Sequence, residues 1–145
     1  YAIVESALVI PSKLTYAMIK PAFGSCYGLI RHKWFSKLQF KSLKIKQELF
    51  DDYYKDTCGI AKHNMIAFLQ ANSLYSIKES IEKCTAKVKV FVGERENAAM
   101  KKSAQIINEN LKSSSLRVMR KMYHGEFSIN HANDYVEEIL AMVKA

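Results

Sequence analysis

Lys87–Gly93 (K-V-K-V-F-V-G) alternates charged and apolar positions and then turns apolar, the clearest strand pattern in the chain. From Asn97 to Leu111 the period changes. Met100, Ala104, Ile107 and Leu111 recur at steps of four, three and four, which predicts a helix with one buried stripe. A second strand is expected over Leu116–Met122. A closing helix is expected over Asn130–Val143, with Asn130 as its N-cap and Tyr135, Val136, Ile139, Leu140 and Val143 on one broad face. Tyr1–Ser6 (Y-A-I-V-E-S) is a short β-branched run that reads as a further buried strand. Strand, helix, strand and helix in succession argue for a parallel sheet with right-handed crossovers. The expected class is α/β, with about three parallel strands near Tyr1, Val90 and Val118 and helices packed on them.

Between the first strand and the second the pattern is helical throughout. Leu14–Ile19 starts a helix that Pro21 is expected to stop or kink, and Ala22–Gly28 reads as a turn with two glycines. His32–Lys46 predicts an amphipathic helix, with Lys33, Lys37, Lys41 and Lys44 on one face and Trp34, Leu38 and Ile45 on another. Gln47–Thr57 and Ala61–Asn72 are expected to be helical, with a break at Gly59 and with Ile66 and Leu69 inward. Asp51, Asp52 and Asp56, a possible carboxylate cluster on the first turns of the first of these, complement a helix dipole more simply than they bind metal. The organisation predicted is a core of 1–11 and 78–145 interrupted by a helical insertion, 12–77, of the kind that caps one end of a sheet.

Composition narrows the class. The chain has 145 residues, with 49% hydrophobic and 11% aromatic content, enough for one globular domain with a sizeable core. No apolar run reaches the length of a membrane span, and no basic leader precedes the first apolar stretch, so a cytoplasmic location is expected. Three widely spaced cysteines, Cys26, Cys58 and Cys84, form no zinc-like spacing and read as free thiols. No metal and no cofactor is expected. The net charge of +8 is spread along the chain and names no partner by itself.

The chemistry lies where strands end. In open parallel sheets ligands bind beyond the carboxyl ends of the strands. Gly93-Glu94-Arg95-Glu96 and Tyr123-His124-Gly125-Glu126 sit at two such ends. A carboxylate and an imidazole brought together there are the orienting acid and the base of a nucleophilic hydrolase. Glu96, at the entry to the next helix, is the preferred acid, Glu94 is the alternative, and His124 is the base.

At these residues the sequence resembles the α/β-hydrolase family. V-F-V-G-E-R-E-N-A-A-M is similar to the family's strand and acid turn, with Glu96 where Asp is more common. M-Y-H-G-E-F-S-I-N-H-A-N-D-Y is similar to its histidine turn and last helix. The resemblance implies acyl transfer, meaning hydrolysis of an ester or related small molecule by a Ser-His-Asp/Glu triad. It implies neither a nucleic acid nor a membrane partner. One element is missing: no G-x-S-x-G occurs, and in the family that serine elbow precedes the strand at Tyr1. The chain is therefore expected to be the C-terminal portion of such a hydrolase and inactive alone. The beginning at Tyr1, already in a strand, agrees with a piece of a longer protein. Gly24-Ser25-Cys26-Tyr27-Gly28 fits G-x-C-x-G, but Lys20 and Pro21 stand where an elbow needs a buried strand. A bare edge on the first strand predicts a homodimer, a swapped assembly or association with the missing half. The competing reading is a non-enzymatic module that binds an anionic surface through the basic helix 32–46, with Trp34 and Phe35.

Overall fold

The structure, a computed structural model, describes residues 1–144. Three parallel strands form one sheet in the order β1 (Ala2–Glu5), β2 (Val88–Gly93), β3 (Ser114–Met119). Ala2 is level with Val88, and Val88 with Ser114, so the carboxyl ends of all three strands lie at the same edge of the sheet. Four helices lie between β1 and β2: α1 (Lys13–Cys26), α2 (Lys33–Leu43), α3 (Phe50–Gly59) and α4 (Lys62–Ser73). Helix α5 (Ala98–Asn110) links β2 to β3, and α6 (Glu126–Asn130) and α7 (Ala132–Lys144) follow. The chain forms two compact units. One is Tyr1–Val9 with the chain from Ser76 onward, and the other is Ile10–Tyr75.

In the sheet unit both faces of β2 are covered, as a central parallel strand requires. Val88, Val90 and Val92 point to one side and pack with Met100, Ala104 and Ile107, the stripe of α5 read from the sequence. Phe91 points to the other side and packs with Met119 and Phe127 of α6, joined by Tyr135 of α7. The Phe91 and Phe127 rings meet edge to face at 5.1 Å. The alternating lysine of β2 also has a partner there: Lys89 Nζ donates to Glu138 Oε2 of α7 at 2.6 Å, and Arg117 of β3 binds the other oxygen of the same carboxylate. The hydrogen bond from Lys89, followed by the nearby positive charges, holds the Glu138 carboxyl below its ordinary value of 4.5. A depressed carboxyl contributes stability above its unfolded value and loses it as pH falls through the folded one. Glu138→Gln is therefore expected to lower the urea midpoint at pH 7, and the gap to wild type should close as pH falls below 4.5.

The helical unit differs from the expected pattern in two places. Helix α1 runs through Pro21 to Cys26 and then tightens into a 3₁₀ turn, Tyr27–Arg31. Ser12 caps it by accepting from Thr15 N, and Ile19 is buried, so packing and capping outweigh the local penalty of proline. In α2 the buried residues are Ser36 and Phe40, whereas Trp34 and Leu38 are exposed. The inward face is set by Phe40, which packs on Phe50 and Tyr53 of α3 at 5.4 and 5.1 Å. The lysine face is partly occupied within the unit: Lys33 lies 3.7 Å from Asp51 and near the Tyr54 ring, and Lys37 lies over Phe50. In the sheet unit, α6 ends at Asn130 and the last helix starts at Ala132. The buried residue of α7 is Met142, with Tyr135 and Glu138 half-buried, and Val136, Ile139, Leu140 and Val143 stay exposed.

Candidate active site

The end of β2 and the loop after β3 meet because Gly93 has no side chain. A Cβ at this position would stand 2.5 Å from the Met122 carbonyl oxygen and 2.8 Å from that of Tyr123. This close approach lets Glu94 N donate to Met119 O at 2.9 Å and Arg95 N to Met122 O at 3.0 Å. The turn after β2 is thus bonded along the loop that carries His124. Arg95 also lies over the Tyr123 ring, 5.1 Å from its centroid.

Glu96 turns back over the sheet. Its side chain is 1% exposed, and every carboxylate contact is specific. Oε1 accepts from Gly93 N at 2.8 Å and from Ser6 Oγ at 2.7 Å. Oε2 lies 3.0 Å from His124 Nδ1. An ionised carboxylate only accepts, so the contact places the proton on Nδ1 and leaves Nε2 on the opposite edge of a ring whose side chain is 66% exposed. This is the arrangement in which an imidazole takes a proton through Nε2 while a buried acid holds its tautomer.

Glu94 does not take part. Its Oε2 accepts from Lys121 N at 2.7 Å and closes the turn after β3, where Lys121 has a positive φ of 59°. Of the two acids weighed on sequence, the structure brings Glu96, and not Glu94, to His124. The histidine turn has its own fastenings. Tyr123 N donates to Glu126 Oε2 at 2.7 Å, and Phe127 N donates to Glu5 Oε1 of β1 at 3.1 Å. Glu5, the last residue of β1, and Ser6, which follows it, were not recognised as site residues from sequence. The only signal available was their place at a strand end on the same edge as Glu96 and His124.

Cys26 belongs to the helical unit. It is exposed in the last turn of α1, and its thiol donates to Ala22 O at 2.7 Å. No strand leads into Gly24–Gly28, so the G-x-C-x-G match is a helix end and not a nucleophile elbow. Among the described residues no group of three or more His, Cys, Asp or Glu side chains is placed to hold a metal ion. None of the described helices is long and apolar enough to cross a membrane.

No family model matches the sequence, and no curated protein matches it. Solved structures do. An esterase from Exiguobacterium antarcticum superposes with a TM-score of 0.74 at 16% identity, over 99% of this chain and 56% of its own. A bromoperoxidase from Bacillus anthracis gives 0.72 at 12% identity, over 97% and 55%. MenH from S. aureus gives 0.69 at 12% identity, over 98% and 57%. MGS-M2 from a Medee basin deep-sea metagenome library, described as an α/β-hydrolase enzyme, gives 0.68 at 9% identity, over 99% and 55%. The chain has the fold of the C-terminal part of an α/β-hydrolase, and it spans little more than half the length of the structures it resembles.

Proposed function

We propose that this chain supplies the acid and the base of a Ser-His-Glu hydrolase, with Glu96 as the orienting acid and His124 as the general base. The observation that carries the reading is the 3.0 Å contact between the buried Glu96 carboxylate and His124 Nδ1 at adjacent strand ends. A pair of that geometry at the carboxyl edge of a parallel sheet serves acyl transfer, and the fold is one on which such chemistry is built. The nucleophile is a serine outside residues 1–145, presented at the free edge of β1 by sequence ahead of Tyr1 or by a second chain. The substrate class is a small ester or related acyl compound. We read segment 12–77 as the cap insertion, from its place in the chain between β1 and β2.

The surface-binding alternative has less behind it. Trp34 and Leu38 are exposed, but Lys33 and Lys37 are engaged with Asp51, Tyr54 and Phe50 of the same unit.

A fluorophosphonate probe tests the hydrolase reading. Residues 1–145 alone are expected to stay unlabelled. Protein extended with the sequence encoded ahead of Tyr1 is expected to label at a serine of that extension and to hydrolyse short p-nitrophenyl esters. Labelling of Ser6 or Cys26 in the short chain, or an extended protein that neither labels nor hydrolyses, would overturn the reading.

A further inference from the structure

We infer that Ser6 is a positioning residue that locks the Glu96–His124 pair by bonding to both turns at once. The inference rests on the proposed roles of Glu96 and His124 and adds a third member that neither the sequence pattern nor the likeness of fold assigns. Ser6 follows the last residue of β1, and its backbone N donates to Phe91 O of β2 at 3.0 Å. Its φ of 52° lies in the left-handed region that a serine seldom adopts. That turn of the chain sends the side chain over the carboxyl edge of the sheet. There Oγ donates its one proton to Glu96 Oε1 at 2.7 Å and accepts from Gly125 N at 3.1 Å. Gly125 is the residue after His124. A single hydroxyl thus ties the acid to the backbone of the base's own turn.

The two bonds use what the hydroxyl has to offer toward these turns. Its proton is committed to the carboxylate, so Ser6 is not placed as a nucleophile awaiting His124. Glu96 Oε1 has two donors, Gly93 N and Ser6 Oγ, and the carboxylate plane they define points Oε2 at Nδ1. Without Ser6 Oγ, Oε1 keeps one donor and the carboxylate is free to rotate. Gly125 N then loses its acceptor, and the His124 turn loses a tether to β1. The neighbouring Glu5 leaves the fold of that turn in place, because its carboxylate still accepts from Phe127 N and Ser128 N. The effect of losing Ser6 Oγ should therefore fall on the imidazole's tautomer more than on folding.

Two variants separate the hydroxyl from the backbone. Ser6→Gly removes Oγ and suits a positive φ, whereas Ser6→Ala removes Oγ and keeps the strain. The probe is ¹⁵N-histidine NMR of residues 1–145 near pH 8, with the His124 signals identified by their loss in His124→Ala. Wild type is expected to show His124 mainly as the Nδ1–H tautomer. Both Ser6 variants are expected to lose at least half of that preference while Ser6→Gly keeps the wild-type denaturation midpoint or exceeds it. If Ser6→Gly keeps the wild-type tautomer while Glu96→Gln abolishes it, Ser6 has no positioning role and the Glu96–His124 pair stands. If wild-type His124 shows no Nδ1–H preference, and Glu96→Gln changes nothing, the pairing itself fails and the role of Ser6 fails with it. If only Ser6→Ala moves the tautomer, backbone strain and not the hydroxyl is responsible, which also overturns the inference.

Discussion

Gly93→Ala is expected to destabilise the sheet unit by about 3 kcal/mol, the upper part of the range for forced overpacking, and to part the two turns of the site. The added methyl would meet the Met122 carbonyl oxygen at 2.5 Å, the Tyr123 carbonyl oxygen at 2.8 Å and the Met122 carbonyl carbon at 2.9 Å. All three are backbone atoms, so no side chain can swing aside. Gly93 sits at the end of the central strand, and Val92 and Phe91 just before it are 1% exposed, so the strand has no room to retreat. The loop after β3 must move instead. Its hydrogen bond from Arg95 N to Met122 O lengthens, and His124, two residues beyond Met122, moves with it. Urea denaturation should show the stability loss, and the Nδ1–H tautomer of His124 should weaken in the molecules that remain folded. Gly24→Ala is the control. Gly24 lies in α1 with nothing within 4 Å of its ideal Cβ, and alanine in a helix interior is expected to gain about 0.5–1 kcal/mol. Equal effects at the two positions would show that the close approach at Gly93 does not hold the turns together.

The part of this site legible in the sequence is the part governed by short-range pattern. Alternation in Lys87–Gly93 and the four-three-four spacing of Met100, Ala104, Ile107 and Leu111 each describe one element facing one core, and the structure packs those residues together. The approach of Glu96 to His124 was legible because a strand ending in glycine and passing into a helix leaves few places for an acid to turn back over the sheet. Ser6 was not. Its partners lie 90 and 119 residues away, and a positive φ at a serine leaves no compositional trace. Gly93 read as a strand end, and nothing local told that another loop lies against it. The outward turn of Trp34 and Leu38 has a similar cause. Two apolar stripes on α2 compete for the interior, and the aromatic cluster of Phe40 with Phe50 and Tyr53 decides it through residues of another helix. Pro21 shows the limit of a local rule. The ring removes one donor from α1, but the helix around it is capped by Ser12 and buried at Ile19, and it continues for five residues.

Glu96→Gln should have the largest effect on chemistry, because it reverses the polarity of the bond that sets the imidazole. The native carboxylate accepts from Gly93 N and Ser6 Oγ on one oxygen and from Nδ1–H on the other. Glutamine keeps the shape but has one oxygen and one NH₂ group. Two donors compete for its carbonyl on the Oε1 side, so the oxygen stays there and the NH₂ group faces Nδ1. Nδ1 must then accept, which moves the ring proton to Nε2, the atom that has to receive the nucleophile's proton. In the complete hydrolase this is expected to lower kcat by roughly 10⁴ with little change in KM, the size found when an orienting acid is replaced by its amide. Glu94→Gln alters the same charge two residues away but leaves the His124 contact intact, and its cost is confined to the bond from Lys121 N. A wild-type rate in Glu96→Gln combined with a large loss in Glu94→Gln would transfer the acid's role to Glu94. Equal, small losses in both would mean that His124 acts without an orienting carboxylate, and the 3.0 Å contact would then be a structural tie and no part of the reaction.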